Sequence, residues 1–467
     1  MTAKPRPDPG ASFTREEGEI HIGGIDALVR LTLDQVRTDA RRGLKTGMFV
    51  SGYRGSPLGM LDAALIKQQK KLIEHNIHFV DGLNEDLAAT AVWGTQMLHT
   101  VGKQKFDGVT GMWYGKAPGV DRSGDALKHA NYTGIDKNGG VLAIVGDDPS
   151  CKSSSLASQS EPMLYHVGMP SLYPGNVQEI LDLGLHGYNM SRLSGLWVGM
   201  KIVTNVADGS GTAQVSPERL NFVTPDLSFD GQPFTPHMNL GMNVRAEALE
   251  MEQSLYTRRL ELAKRYAREN KLNNVVFQNP DAWLGIITAG KTYNDLRQAF
   301  LELGLDDAAL RRYGIRILKM GMLFPMEPTI VREFAQGLEE IFVIEEKRPF
   351  LEMFAKNVLY GMANAPRIVG KFDEEEKELL PHYGEFESDI ICRALTRRLS
   401  QKARIESAEA WIARLDEVHS RTKLPTAVRT AWYCSGCPHN SSTVAPEGSI
   451  VSAGIGCHTM AMWMDRN

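Results

Sequence analysis

The stretch GMFVSGYRGSPLG, residues 47–59, predicts a strand, a tight turn and the start of a helix. Residues 47–51 form a short apolar run that is typical of a buried strand. Glycine and proline in residues 52–57 predict the turn, and we expect a helix from about Leu58 to Ile73. A strand and a helix joined in this way form the repeating unit of a parallel α/β sheet.

Similar units follow along the chain. Residues 76–81 and 139–148 are predicted strands, and we expect a helix over residues 85–99. Because strand and helix alternate, residues 20–205 predict an α/β fold, in which helices cover both faces of a parallel sheet. A second α/β unit is predicted over residues 281–365. Its predicted strands are residues 282–290, 315–320 and 340–346.

The bulk composition is typical of a globular protein with several domains. The chain has 467 residues, of which 42% are hydrophobic and 23% charged, and its net charge is −4. This charge argues against nucleic acid as the main partner. No run approaches the roughly 18 consecutive apolar residues of a membrane span. The polar, proline-rich residues 1–19 lack the apolar core of a signal peptide, so they predict a disordered lead and a cytoplasmic protein.

The cysteines predict a metal or redox site near the end of the chain. Cys434 and Cys437 are two residues apart, and Cys457 follows in a glycine-containing segment. This spacing lets two thiolates face one ion or one corner of a cluster. Zinc, with His439 or His458 as a fourth ligand, an iron–sulfur cluster and reduced cysteines without a ligand all remain open on spacing alone. The other two cysteines, Cys151 and Cys392, are expected to be a surface thiol and a packed core thiol.

Two further features sit where parallel strands end. The turn at residues 52–57 precedes a helix, and Glu85 opens another predicted helix. A helix start can approach an anion or a cofactor. Either feature can equally be an ordinary turn or an ordinary acidic first residue, which the helix dipole favours.

Taken together, the motifs resemble the N-terminal part of 2-oxoacid:ferredoxin oxidoreductases, and above all bacterial indolepyruvate ferredoxin oxidoreductase in its long, fused form. They occur in the order of that family and cover nearly the whole chain. The motifs are YRGSPLG (53–59), NEDLAATAVWGTQ (84–96), GDDPSCKSSS (146–155), QSEPM (159–163), RILKMGMLFPMEP (316–328), IFVIEE (341–346), CSGCPHNSS (434–442) and GIGCHTMAMWMDR (454–466).

The resemblance implies a domain order built around thiamine diphosphate. The implied segments are a disordered lead (1–19), a domain that binds the pyrimidine of thiamine diphosphate (20–240), a helical linker (241–280), a transketolase C-terminal-like domain (281–365), a helical connector (366–425) and the start of a diphosphate-binding and iron–sulfur domain (426–467).

The resemblance also implies an activity and a set of site residues. The activity is the CoA-dependent oxidative decarboxylation of an aryl 2-oxoacid such as indolepyruvate, with ferredoxin as electron acceptor. Glu85 is the implied catalytic residue, because the acidic residue at this position contacts the pyrimidine N1′ and promotes loss of the thiazolium C2 proton. The turn implied to lie against the cofactor contains Tyr53, Gly55, Ser56 and Pro57. The implied ligands of a [4Fe–4S] cluster are Cys434, Cys437 and Cys457.

Two family features have no match in the chain. A fourth cluster cysteine and the Gly-Asp-Gly…Asn motif that holds Mg²⁺ lie farther downstream in the family. We therefore expect the Mg²⁺ site to lie mostly outside this chain, which is either one subunit of a split enzyme or a truncation. Gly146-Asp147-Asp148 with Asn176 matches the magnesium motif only loosely, because Pro149 follows.

Assembly follows from the same reasoning. We expect a homodimer or a complex with a chain that carries the missing domains. The alternative is a non-catalytic α/β fragment with a structural zinc, or no metal, at its C-terminal cysteines.

Overall fold

The computed structural model describes most of the chain. It covers residues 10–100, 102–152, 154, 156–236, 238–239, 245–421, 430–452, 454 and 456–464. The chain divides into two compact units, an N-terminal unit (Met1–Trp411) and a C-terminal unit (Ile412–Asn467).

Short strands occur through most of the N-terminal unit. The described strands are β1 (Gly18–Gly23), β2 (Thr46–Gly52), β3 (Ile77–Phe79), β4 (Gly108–Lys116), β5 (Val141–Asp147), β6 (Ser171–Leu172), β7 (Val198–Val203), β8 (Ser210–Val215), β9 (Ser228–Phe229), β10 (Gln232–Pro233), β11 (Asn273–Phe277), β12 (Leu284–Ala289), β13 (Ile315–Met320), β14 (Met322–Phe324), β15 (Glu340–Ile344) and β16 (Arg367–Val369).

Helices connect these strands. The described helices are α1 (Ala11–Thr14), α2 (Gly24–Arg41), α3 (Leu61–Lys67), α4 (Gln69–Glu74), α5 (Glu85–Thr95), α6 (Ala117–Arg122), α7 (Gly124–Thr133), α8 (Glu161–His166), α9 (Val177–Ser194), α10 (Thr204–Ala207), α11 (Arg245–Ser254), α12 (Leu260–Glu269), α13 (Gly290–Glu302), α14 (Asp307–Arg312), α15 (Pro328–Ala335), α16 (Leu351–Leu359), α17 (Ser388–Leu399), α18 (Glu406–Ser420) and α19 (His439–Ser442).

The larger sheet has the strand order β14-β6-β7-β5-β4-β2-β3, and its strands run parallel except for β14. Helices α2 and α9 pack on one face, and α5 and α7 on the other. Side chains of β4 alternate between the two cores: Met112 and Tyr114 join one cluster, and Trp113 joins the other. This alternation is what a strand covered on both faces requires. The predicted α/β fold is confirmed.

The order of strands creates a crevice between β2 and β4. From β2 the chain moves outward to β3, and then returns across β2 to β4 and continues in the opposite direction. The connections after β2 and after β4 therefore diverge to opposite sides. In open α/β sheets, ligands bind at this kind of switch point, outside the carboxyl ends of the strands.

The second sheet has the order β11-β13-β12-β15-β16, with β11 antiparallel to the others. It differs from the predicted unit at both ends. It already begins at Asn273, inside the predicted linker, and it extends past residue 365 through β16. In addition, β14 leaves this unit and pairs with β6 in the larger sheet. The two α/β units are thus joined by a shared strand rather than by a simple linker.

Several local predictions were wrong. The disordered lead does not hold for residues 11–14 and 18–19, which begin α1 and β1, and Phe13 is buried. The strand β4 was missed, since its glycines interrupt the apolar run. The helix predicted from Leu58 starts at Leu61 and is divided at Gln68 into α3 and α4.

The predicted linker and connector are only partly helical. Residues 240–244 and 422–429 lie outside the described residues, as do residues 1–9 of the predicted lead. The described linker is helical from Arg245 to Glu269, including a π-helical turn at Leu255–Arg259. The connector contains α17, which packs on α13, but its first part is β16 and irregular chain.

Within the described residues, no helix is both long enough and apolar enough to cross a bilayer.

Candidate active site

The turn after β2 lies at the crevice of the larger sheet. Its first amide, that of Tyr53, donates a hydrogen bond of 3.1 Å to the carbonyl of Tyr114 at the end of β4. Pro57 packs against β5, where a Cβ on Gly146 would lie 2.9 Å from the Pro57 Cδ. Tyr53 is 37% exposed, and Ser56 is half-buried. The turn at the crevice thus leaves both side chains partly accessible to solvent.

Glu85 lies at the same edge, at the first residue of α5. Asn84 caps this helix, because its side-chain oxygen accepts a hydrogen bond of 2.9 Å from the Leu87 amide. The preceding loop is fixed to the end of β2 by a 3.0 Å hydrogen bond from the Gly82 amide to the Gly52 carbonyl. The predicted turn and the predicted glutamate are therefore brought to one place, although Pro57 and Glu85 are 28 positions apart in the sequence.

The surroundings of Glu85 are tight. The residue is only 6% exposed, and its backbone carbonyl accepts a 3.0 Å hydrogen bond from the Trp113 indole N–H. The described residues provide no hydrogen-bond donor to its carboxylate. A carboxylate on a buried residue that receives no donor from the protein is suited to a partner that the protein itself does not supply.

Charged side chains line the mouth of the crevice. Arg54 contacts Asp81 at 2.8 Å and Asp62 at 3.4 Å, which ties the turn to α3 and to the loop after β3. On α6, Arg122 contacts Asp86 at 3.0 Å. Both arginines are more than half exposed, so these pairs contribute little to stability and mainly orient the side chains.

Asp147 and Asn176 do not form a magnesium site in this fold. Asp147 is 1% exposed and lies 3.3 Å from the Lys201 ammonium, and Ser160 donates two hydrogen bonds to it. Burial raises the pKa of Asp147 to about 6, an effect that Lys201 opposes. Asn176 accepts a 3.0 Å hydrogen bond from the Glu179 amide and caps α9. The loose match to the magnesium motif is thus explained by an ion pair and a helix cap.

A buried polar cluster beside this aspartate was not anticipated from the sequence. Lys201 also contacts Glu161 at 2.6 Å, and its pKa is raised well above the usual value by Glu161 and Asp147 against the opposing effect of burial. Lys347 of the second α/β unit donates to the carbonyl of Pro149. The motifs GDDPS, QSE and IFVIEEK therefore meet at an interface. In the sequence, the feature that could have pointed to this cluster is the presence of charged residues directly beside apolar strand segments.

The three predicted cluster cysteines all lie in the C-terminal unit. Cys434 and Cys437 form one turn, in which the Cys437 amide donates a 3.0 Å hydrogen bond to the Cys434 carbonyl. Cys437 Sγ lies 3.2 Å from His439 Nδ1, and the His439 ring stacks 6.0 Å from that of His458, the neighbour of Cys457. Within the described residues, no three histidine, cysteine or acidic side chains are arranged to hold a metal. The unit brings the cysteine segments together without converging the thiols.

Of the remaining cysteines, Cys392 is placed as expected, whereas Cys151 is less exposed than the surface thiol that was expected. Cys392 is fully buried on α17, and burial raises its pKa to about 12. Cys151 is half-buried in the loop after β5, where its thiol donates to the Ser154 carbonyl at 2.7 Å. None of the five cysteines is in a disulfide.

Comparison with known proteins agrees with the motifs. Residues 274–422 match the family described as indolepyruvate oxidoreductase domain. The chain is 27% identical over 434 residues to indolepyruvate oxidoreductase subunit IorA of Methanothermobacter marburgensis, covering 90% of this chain and 63% of the relative. It is 25% identical over 459 residues to the same subunit of Methanothermobacter thermautotrophicus, covering 96% of this chain and 65% of the relative. Over most of its length the chain is therefore similar to indolepyruvate oxidoreductase subunits.

A solved structure shows the same fold. It is 2-oxoglutarate:ferredoxin oxidoreductase from Magnetococcus marinus with 2-oxoglutarate, coenzyme A and succinyl-CoA bound, with a TM-score of 0.57 and 14% identity over 82% of this chain and 66% of that one. Both curated relatives are named as oxidoreductase subunits. The chain spans less than two thirds of the length of the two curated relatives, at 63% and 65%.

Proposed function

We propose that this chain is a component of an aryl 2-oxoacid:ferredoxin oxidoreductase, with indolepyruvate as its substrate, and that it forms the pyrimidine-binding half of a thiamine diphosphate site. The observation that carries the proposal is the buried, donor-free Glu85 carboxylate at the switch point between β2 and β4. The curated relatives named as indolepyruvate oxidoreductase subunits support the substrate class.

Glu85 fits the pyrimidine of thiamine diphosphate. Its carboxylate can hold a proton at the ring nitrogen N1′, which would satisfy the group that the fold leaves without a donor. The half-buried Ser56 hydroxyl and the ring edge of Tyr53 can line the same crevice, and Gly55 and Pro57 shape the turn that carries them. Thiamine diphosphate, when bound, would supply the electron sink for decarboxylation of the 2-oxoacid.

Glu85→Gln tests this role. Glutamine keeps the size of the side chain but cannot take up a proton in the same way. We therefore expect loss of indolepyruvate oxidation by the assembled enzyme and an unchanged melting temperature. The matched control is Glu74→Gln, which changes an exposed glutamate on α4. Full activity in the Glu85→Gln enzyme would contradict the proposal.

We propose that Cys434, Cys437 and Cys457 are ligands of a [4Fe–4S] cluster, which would receive the electrons before they pass to ferredoxin. What supports this is the shared turn of Cys434 and Cys437 and the stacking that places the Cys457 segment beside it. A fourth ligand is proposed to come from outside the described residues. We derive no step through the cluster, because the thiols do not converge in this structure.

Anaerobic reconstitution tests the cluster. With iron and sulfide, the assembled protein should develop the broad visible absorption of a thiolate-bound cluster, and Cys434→Ser should remove it. Cys151→Ser is the matched control, since Cys151 lies in a loop of the other unit. A Cys434→Ser protein with the wild-type spectrum would refute the assignment. Tight uptake of zinc without any iron–sulfur absorption would instead favour the pair of Cys437 and His439 as a zinc site.

The partners are proposed from the same relationship. The solved relative has coenzyme A bound, and we propose CoA as the acyl acceptor here and ferredoxin as the electron acceptor. We propose no Mg²⁺ ligand among the described residues, because Asp147 is paired with Lys201 and Asn176 caps a helix. We propose a homodimer or a complex with a chain that supplies the diphosphate contacts, working in the cytoplasm without membrane or nucleic acid.

A further inference from the structure

The side chain of Glu85 rests against two glycines, one at the end of β4 and one in α6. A Cβ on Gly119, in α6, would lie 2.6 Å from both Cγ and Oε1 of Glu85 and 2.8 Å from its Cδ. A Cβ on Gly115 would lie 3.4 Å from the Glu85 Cγ and 2.7 Å from the Trp113 ring. The carboxylate therefore occupies the space that a side chain at position 119 would fill.

The backbone at Gly119 does not require glycine. Gly119 is absent from the residues with positive φ, and it lies within the helical segment Ala117–Arg122. Alanine is the better helix former at such a position. The local chain would thus favour alanine, and the contact that opposes it is the Glu85 carboxylate.

The segment α6 is also held to α5 from the outer side. Arg122 ends α6 and pairs at 3.0 Å with Asp86, the residue after Glu85. Neighbouring residues of α5 thus contact α6 in two ways: Glu85 packs inward on Gly119, and Asp86 pairs outward with Arg122. These two contacts bring α6 alongside α5 at the point where the carboxylate sits.

We infer that Gly119 is a positioning residue for Glu85: its missing side chain defines the one place where the carboxylate can sit, aimed at the pyrimidine nitrogen N1′. The inference rests on the proposed role of Glu85. On this inference, α6 forms a wall beside Glu85 and sets the direction of its carboxylate. Arg122 supports the same wall from the surface.

Gly119→Ala tests the inference, since the atoms that the added methyl group displaces belong to the Glu85 side chain and not to backbone. The assembled enzyme is loaded with thiamine diphosphate labelled with ¹⁵N at N1′, and the N1′ chemical shift reports whether a carboxyl group contacts that nitrogen. In the Gly119→Ala protein, we expect the N1′ chemical shift to move from the wild-type value to the Glu85→Gln value. The melting temperature should stay at or above that of the wild type.

Two further variants make the result specific. Gly94→Ala is the matched control, because it is also a helical glycine but no atom lies within 4 Å of the added methyl group. It should keep the wild-type N1′ shift. Arg122→Gln, at an exposed position, should shift N1′ part of the way towards the Glu85→Gln value.

The outcomes separate this inference from the proposed function. If Gly119→Ala keeps the wild-type N1′ shift while Glu85→Gln changes it, Glu85 contacts the cofactor but Gly119 does not position it, and the inference is wrong. If Glu85→Gln itself leaves the shift unchanged, the proposed role of Glu85 fails. If Gly119→Ala does not fold, the Arg122→Gln result decides, and an unchanged shift there overturns the inference.

Discussion

His186 should make the stability of the N-terminal unit sensitive to mild acid. It lies on α9 with 8% of its surface exposed, its Nδ1 is 2.9 Å from the Tyr266 hydroxyl, and the Phe222 ring packs against it. Burial, with a smaller contribution from Arg219, lowers its pKa from 6.5 to about 4. Below pH 6.5 the His186 imidazole is therefore protonated in the unfolded chain but stays neutral in the folded protein until the pH approaches 4.

The size of the effect follows from that difference. A pKa lowered by about 2.5 units corresponds to about 3 kcal/mol of stability, at about 1.4 kcal/mol per unit. This stability is present above pH 6.5 and is lost as the pH falls towards 4. By the same linkage, the free energy of unfolding should fall by about 2 kcal/mol between pH 7 and pH 5.

Urea denaturation at pH 7 and pH 5 measures this loss. His186→Gln removes the titrating group, so its free energy of unfolding should fall by about 2 kcal/mol less than that of the wild type over the same interval. His21→Gln is the matched control, since His21 is exposed on β1 and remains in water when the chain folds. Equal losses in the wild type and in His186→Gln would refute the reasoning.

Two other variants probe the elements that hold the site. Lys201→Met leaves the buried carboxylates of Asp147 and Glu161 without their cation. Thermal denaturation should show that the free energy of unfolding falls by about 3–5 kcal/mol. An unchanged melting temperature would mean that both carboxylates are protonated in the folded protein. Asn84→Ala removes the cap that accepts from Leu87, which should cost about 1 kcal/mol of unfolding free energy by urea titration. A loss below the error of that titration would show that α5 does not depend on its cap.

The sequence predicted the class of fold well because its strongest patterns are local. An apolar run followed by a glycine- and proline-rich turn identifies the strand β2 and the end of that strand without any tertiary information. Glu85 at the start of α5 was also predicted, since a helix start has its own signature. In contrast, β4 was missed because glycines replace apolar side chains where neighbouring elements approach closely.

Partners that are distant in the sequence escaped prediction. The pairing of β14 with β6, across 150 residues of chain, depends on the shape of both units and leaves no local mark. The same holds for the ion pair of Lys201 and Asp147. Asp147 belongs to the segment that resembled a magnesium motif, but in the structure it pairs with a lysine.

By itself, therefore, the sequence determined most of the alternation of strands and helices, the turn after β2 and the kinds of side chain available for chemistry, because these depend on neighbours within a few residues. Only the tertiary structure decided that Glu85 is buried without a donor, that it rests on Gly119, and that it faces the crevice between β2 and β4. Burial, close contact and strand order arise when distant segments pack together, and no pattern along a single segment contains them.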